Sequence, residues 1–334
     1  MKQQQSSNKA TSKINECEDT EMEDTSVWLR EVITPWDIYL HGASEVLHWA
    51  RTEHQEICIV NTEAFGKKLF LDGIVQSSEA DEFIYHETLV QPAAMAVDGP
   101  VRALVLGGGE GAVLRELLRW RSIREAIMVD LDAEVVAACR QHLGQWHQGS
   151  FDDPRTSLLH TDAVQYLKET TVPFDLIVSD MTDPVEAGPS TFCFTQQYFE
   201  TVNNALTDEG IVAVQAGPWS PVEIALHAKV LRTMAAAFPY VVSYPCNAAV
   251  YGRPLGFAMA SRTPIVDRLD PARTAKHLVA HDVSGLRYIT PEIAYGIVHA
   301  PPFVTQAIAA NTSVYTDSAP PQTAHAAGWE RDEQ

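Results

Sequence analysis

Apolar and polar positions change rhythm three times along this chain of 334 residues. Met1 to about Thr25 is rich in Gln, Ser, Asn and Lys, then in acids, and nearly free of apolar residues. A disordered acidic tail is expected over 1–26. From Val27 to about Ser78 short β-type runs follow one another: EVLHWA, QEICIVNT, KKLFLD and GIVQS. Asp72-Gly73 between two of these runs is a strong two-residue hairpin signal. A small N-terminal antiparallel β-domain over 27–80 is therefore predicted. Residues 81–96 space Phe83, Ile84, Leu89 and Val90 as a helix does, with Pro92 expected to kink or break it.

Past Gly99-Pro100 the chain alternates strand and helix. The predicted strands are VRALVL, EAIMVD, TSLLH, FDLIVSD, GIVAVQ, YVVSY and LGFAMAS. Helical segments near 111–120, 133–143, 163–169, 196–206 and 221–237 separate the first six. Such βα alternation argues for an α/β fold, a doubly wound and mostly parallel sheet with helices on both faces. No helix separates the last two strands, which points to an antiparallel edge strand. Weaker helical patches stand near 274–281 and 303–310. The second domain is expected to span 81–320, with a loose C-terminal tail over 321–334.

Chemistry concentrates at the predicted carboxyl ends of strands, where open α/β sheets bind ligands. Leu104 to Glu116 reads LVLGGGEGAVLRE, an apolar run, a glycine cluster carrying one acid, and a helix. The glycines allow a sharp turn and close approach to a ligand. Gly107-x-Gly109-x-x-Ala112 satisfies the degenerate dinucleotide fingerprint, so a dehydrogenase has to be weighed. Glu110 would sit against a pyrophosphate, an unfavourable pairing of like charges. The loop favours a neutral or cationic ligand, such as a sulfonium nucleoside of the S-adenosyl type. Asp130, at the end of the second strand, stands where an acid accepts both ribose hydroxyls. Asp162-Ala163 follows the third strand, Asp180-Met181-Thr182-Asp183-Pro184 the fourth, and Gln215-Ala216-Gly217-Pro218 the fifth. Each Asp taken alone has a dull alternative as a helix cap or turn residue. Asp180, Asp183 and Glu110 together describe an acidic pocket that a cation would fill.

Charge and composition narrow the field further. The formal net charge is −20, which repels nucleic acid and draws cations into clefts. No apolar run is long enough to span a bilayer, and the N-terminus has no signal-peptide core, so a cytoplasmic protein without membrane partners is expected. Five scattered cysteines without CxxC spacing suggest neither a disulfide framework nor a zinc site, and no other metal motif appears.

The segments FGKKLFLDGIVQSSEADEFIYHE, LVLGGGEG, VDLD, TDA, SDMTDP and VQAGP match, in order and spacing, the polyamine aminopropyltransferases. This is the family of spermidine, spermine and thermospermine synthases, and the likeness runs from about Trp28 to Ser261. The resemblance implies a methyltransferase-like (Rossmann-like) catalytic domain behind the β-domain, assembled as a homodimer or homotetramer. It implies decarboxylated S-adenosylmethionine as co-substrate, a polyamine acceptor (spermidine or putrescine) and methylthioadenosine as product, with no prosthetic group and no metal. By the same resemblance Asp180 is the catalytic acid that orients and deprotonates the attacking amine, assisted by Tyr85. Gln55, Gly107, Glu110, Asp130, Asp162 and Ala163 contact the donor. His86 is similar to residues near the adenosine, with a backbone-bonded helix histidine as its alternative. Gln76, Asp183, Gln215, Tyr251 and Glu186 fall on the acceptor side, and Trp28, Glu31 and Trp36 close the acceptor channel, with core packing as the alternative for the two tryptophans and a solvated loop acid for Glu186. The continuation DPVEAGPSTFCFT, with its extra acid at Glu186, and the QAGP ending look most like thermospermine synthases. A spermidine synthase with putrescine as acceptor, then a spermine synthase, are the alternatives within the family; an S-adenosylmethionine methyltransferase and a non-catalytic polyamine-binding relative are the competing readings of another class.

Overall fold

The computed structural model describes residues 27–34, 37–183 and 190–321. The two expected tails, Trp36 and Glu186 lie outside the described residues, apart from Pro321 at the start of the second tail. Val27–Val32 (β1) and Ile38–Ala43 (β2) form an antiparallel pair. Glu45–Arg51 (β3), Glu56–Thr62 (β4), Gly66–Leu71 (β5) and Ile74–Ser78 (β6) form a four-stranded antiparallel meander. At the β5–β6 turn Asp72 and Gly73 have φ of 49° and 75°. Both residues are left-handed, as the tight hairpin turn read from Asp-Gly requires.

β4 shows why this small sheet is stable. Successive side chains of a strand point to opposite faces, and here both faces are covered. Ile57 and Ile59 pack with Leu69, Ala112, Val135, Cys139 and Trp146. Cys58 and Val60 pack with Phe70, Val75, Tyr85 and Leu89 in the main core. The β-domain is thereby fixed onto the larger domain rather than tethered to it.

Glu82–Val97 (α1) runs on through Pro92, so the proline does not break the helix. Residues 85–96 are all buried, and packing on both flanks offsets the hydrogen bond that proline cannot make. The helix stops at Asp98, left-handed with φ 64°, followed by Gly99. The larger domain then proceeds through Arg102–Gly107 (β7), Ala112–Leu118 (α2), Glu125–Val129 (β8), Ala133–His142 (α3), Gly144–His147 (α4) and Thr156–Leu159 (β9). Ala163–Glu169 (α5), Phe174–Asp180 (β10), Gln196–Asn204 (α6), Leu206–Pro218 (β11), Ile224–Ala237 (α7), Tyr240–Cys246 (β12) and Leu255–Ser261 (β13) complete the sheet and its crossovers. Pro271–Ala280 (α8), Pro291–Ile297 (α9) and Pro302–Ala310 (α10) follow. α9 has no counterpart in the sequence reading; seven residues with a glycine near the end give too little periodicity.

The sheet order is β12-β13-β11-β10-β7-β8-β9, parallel except for β13. The antiparallel strand is thus internal, not at the edge as expected. All seven residues of β13 are buried and need neighbours on both sides, whereas β12 begins with exposed and half-buried residues that suit an edge. β8 and β10 flank β7, so the chain winds in opposite directions from β7 and leaves a crevice at the carboxyl ends of β7 and β10. Asp180 pairs with Gly107 there. Among the described residues no helix is long and apolar enough to cross a membrane.

Candidate active site

At that crevice lies a cavity of about 330 Å³, walled by the glycine loop, by the ends of β8, β10 and β11, and by β5, β6 and the β3–β4 turn from the small domain. Gly107, with φ 77°, turns the chain where a Cβ would stand 2.4 Å from the Asp180 carbonyl oxygen. A Cβ on Gly109 would stand 2.9 Å from Asp130 Oδ2. The first glycine permits the turn and the second leaves room for the carboxylate of β8.

At one end of the cavity the carboxylates of Asp130 and Asp162 accept hydrogen bonds from backbone amides. Asp130 Oδ1 accepts the Asp132 backbone N–H at 2.9 Å. Desolvation outweighs that bond and, with the Asp132 carboxylate nearby, pushes Asp130 up to about 6. Asp162 caps α5 through the Gln165 N–H at 2.7 Å and lines the cavity together with Ala163. Gln55 donates to Asp132 Oδ2 at 3.2 Å, and the Thr52 hydroxyl donates to the same oxygen at 2.6 Å. Asp132, which also caps α3, therefore ties the β3–β4 turn to the floor of the site. It lines the cavity and the sequence reading missed it; the second acid of VDLD was its only signal.

Behind the glycine loop the charges are balanced. Glu110 accepts the Ser77 hydroxyl at 2.6 Å, and its other oxygen lies 2.7 Å from His86 Nε2, off the line of the ring N–H. His86 Nδ1 faces Glu82 at 2.8 Å, and Arg115 forks onto Glu82 at 2.8 and 2.9 Å. Burial alone would lower the His86 pKa, but Glu110 and Glu82 drive it up to about 10. Burial would raise Glu82, yet His86 and Arg115 take it down to about 2. His86, placed by sequence among the donor contacts, does not reach the cavity. Both ring nitrogens are engaged by acids, and the ring is fully buried. It supports Glu110 from behind.

In the cavity wall the Tyr85 hydroxyl donates to Asp180 Oδ1 at 2.6 Å. Desolvation raises Asp180 to about 6, with His86 and the Tyr85 bond opposing and Glu110 adding to the rise. Burial and Asp180 keep the Tyr85 phenol well above its usual value, so it stays a donor. Tyr85 packs edge-on against Phe257 and lies 5.9 Å, centroid to centroid, from Tyr251. Tyr251 donates to the Gln76 carbonyl at 2.5 Å, which brings both residues to the same wall. Asp183 accepts from Gln215 Nε2 at 2.8 Å, and Gln215 Oε1 accepts the Gly217 N–H at 3.3 Å. Glu31 reaches the cavity from β1, and Arg253, paired with Glu223, reaches it from the loop after Tyr251. Sequence reasoning passed over Arg253. Trp28 is 46 % exposed and does not line the cavity. No group of three metal-binding side chains occurs among the described residues.

The doubly wound sheet thus carries, at the switch point where open α/β sheets bind ligands, an acid-lined crevice with the Tyr85–Asp180 pair in its wall. Residues 82–270 match the spermine/spermidine synthase domain, and residues 27–79 match the spermidine synthase tetramerisation domain. The chain belongs to the spermine/spermidine synthase family and is an aminopropyltransferase of polyamine biosynthesis, with decarboxylated S-adenosylmethionine as co-substrate. It is 45 % identical over 302 residues to a polyamine aminopropyltransferase of Synechococcus sp. (strain JA-3-3Ab), covering 88 % of this chain and 97 % of that one. A polyamine aminopropyltransferase of Aeropyrum pernix is 36 % identical over 285 residues, covering 84 % and 90 %. Among solved structures, a spermidine synthase in complex with the transition state analogue AdoDATO superposes with a TM-score of 0.79 at 27 % identity, covering 85 % of this chain and 95 % of that one. The spermidine synthase from Thermotoga maritima gives 0.76 at 26 % identity, covering 85 % and 94 %.

Proposed function

We propose that Asp180 is the general base of aminopropyl transfer and that the preferred acceptor is spermidine, giving thermospermine. Asp130 holds the ribose hydroxyls, Asp162 the adenine amino group, and Gln55, Gly107, Glu110 and Ala163 complete the donor site. Gln76, Asp183, Gln215 and Tyr251 hold the acceptor. An alkylamine is mostly protonated near neutral pH, since its pKa resembles that of lysine at about 10.4. Asp180, raised to about 6, takes one proton from the amine as Tyr85 fixes the carboxylate. The freed nitrogen lone pair forms a bond to the aminopropyl carbon next to the sulfonium. The carbon–sulfur bond breaks on the opposite side, and its electrons leave sulfur as the neutral thioether of methylthioadenosine.

The Tyr85–Asp180 pair at the switch point is the observation that carries this mechanism. The triamine reading rests on the acids of the acceptor wall, where Asp183 and Glu31 face the same cavity as Asp180 and can serve further ammonium groups. A putrescine acceptor is the second reading, favoured by the Arg253 guanidinium in that wall, which shortens an anionic track. The test is kcat/KM for both amines with chromatographic identification of the product. Higher efficiency with spermidine and a thermospermine product are expected; higher efficiency with putrescine overturns the triamine reading.

An oligomer, dimer or tetramer, completes the proposal. The small domain leaves Leu40 and Trp49 61 % and 69 % exposed, a cost that burial against a second copy removes. Light scattering of the purified protein checks it, and a monomeric mass would refute it.

A further inference from the structure

Glu31 stands at the cavity wall with a chain of buried groups behind it that the transfer chemistry does not use. Glu31, His41 and Lys68 are exposed by only 5 %, 7 % and 4 %. His41 Nε2 lies 3.0 Å from Glu31 Oε2, and Lys68 Nζ lies 3.1 Å from His41 Nδ1. Lys68 has no acceptor lone pair, so it donates to Nδ1, and the ring must carry its proton on Nε2 and donate it to Glu31. The imidazole is fixed edge-on against Phe70 with ring centres 5.2 Å apart, and Tyr39 packs on it at 6.3 Å. Lys68 lies 4.2 Å over the Phe65 ring, and among the described residues no carboxylate is within ion-pair distance of it. Burial pulls the Lys68 pKa down while Asp81 and Glu31 pull it back up.

This arrangement is unusual for a buried lysine, which normally meets its carboxylate directly. A direct pair would saturate Glu31 and weaken it toward a ligand cation. With an imidazole between them, the lysine charge balances Glu31 from a distance, one carboxylate oxygen is oriented, and the other is left for the cavity. We infer that Lys68 and His41 are positioning residues that present Glu31 to the distal ammonium of a triamine acceptor and so help separate spermidine from putrescine. The inference rests on the reading that the acceptor extends from Asp180 toward Glu31.

The experiment compares KM for spermidine, KM for putrescine and KM for the donor in wild type, K68M, H41F, E31Q and E31Q/K68M. H41F keeps a ring against Phe70 and Tyr39 and removes both nitrogens. Methylthioadenosine binding reports whether each variant is folded, and H41F carries the test if K68M is not. Losing a charge-assisted contact should raise the spermidine KM about tenfold or more in K68M and H41F. The putrescine KM, the donor KM and kcat should stay within roughly twofold. K68M should add nothing once Glu31 is already glutamine, because the two then act through one group. A proportional rise for both amines, or an effect of K68M that persists in the E31Q background, means a merely structural lysine and overturns the proposal. An E31Q spermidine-to-putrescine ratio like that of wild type overturns the acceptor reading beneath it. An altered ratio in E31Q with unaltered ratios in K68M and H41F overturns the Lys68–His41 chain alone.

Discussion

Two groups of acids lie about the glycine loop and differ in what faces them. Glu82 and Glu116, behind the loop, and Glu110, in the loop itself and at the cavity wall, meet His86, Arg115 and Arg119. Asp130, Asp180 and Asp183, in the cavity, meet a backbone amide, a phenol and a side-chain amide. The first group is compensated by fixed cations and holds the loop in place. Asp130 and Asp180 accept hydrogen bonds from neutral donors, and burial pushes both up to about 6. On the function proposed above, Asp180 gains its counter-charge from the acceptor ammonium, while Asp130 meets the neutral ribose hydroxyls of the donor.

Removing a cation from the compensated group should have the largest effect on the fold. Arg115→Met strands Glu82 and Glu116 in a buried setting, which typically costs about 3–5 kcal/mol. Urea unfolding should show the loss at pH 7, and a change within about 1 kcal/mol would mean that these ions are solvated in a way their burial does not suggest. The same network has a signed pH dependence. His86 is raised from 6.5 to about 10, so its contribution is whole below pH 6.5 and is lost as pH rises through about 10. Glu82 is depressed from 4.5 to about 2, so its contribution is whole above pH 4.5 and is lost as pH falls through about 2. His86→Gln should flatten the alkaline limb of stability and also weaken the acid limb, because His86 does more than Arg115 to hold Glu82 down.

Asp180→Asn removes the proton acceptor and keeps its shape. Turnover should fall roughly 100-fold or more, the usual scale for losing a general base, with methylthioadenosine binding nearly intact. The wild-type rate should also decline as pH drops through about 6, where Asp180 gains its proton. A variant within a few-fold of wild type would remove Asp180 from the base role. Asp130→Ala should instead weaken methylthioadenosine by about 1.5–3 kcal/mol, the worth of hydrogen bonds to a charged group. Calorimetry would refute the ribose role if the affinity were unchanged.

The balanced and unbalanced groups were unequally legible in the sequence. LGGGEG, VDLD and SDMTDP each sit at the end of one apolar strand, so position in the chain gives position in the site. The compensated group is spread over α1, α2 and the loop between β7 and α2, and nothing in YHE says that His86 turns away from the cavity toward Glu82. Long-range partners such as Lys68 and His41, or Asp132 and Gln55, become visible only when β-domain and crevice meet. The fold followed the same rule. Strands β7 to β11 were readable from their apolar runs and their spacing, while the internal place of β13 depended on which strand had two faces and two edges to bury. Pro92 does not end α1 because local propensity yields to the packing of a buried helix.

The smallest effect comes from the same Asp180→Asn variant, read as stability rather than activity. The Asp180 pKa rises from 3.8 to about 6 on folding, so its carboxyl favours the folded state when protonated. That contribution is whole below pH 3.8 and is lost as pH climbs through about 6. At pH 7 the substrate-free enzyme therefore holds this charge at a cost, on the order of 1–3 kcal/mol from the size of the shift. An asparagine resembles the protonated acid and still accepts the Tyr85 hydroxyl through its side-chain oxygen. The variant should be more stable than wild type near neutral pH, by an amount that grows between about pH 4 and 6 and then levels off. Saturating wild type with spermidine should close part of the gap, because the ammonium supplies the missing cation. A variant no more stable than wild type across that range would mean that solvent, not substrate, already balances the cavity acids. The distinction between the two groups would then rest on geometry alone.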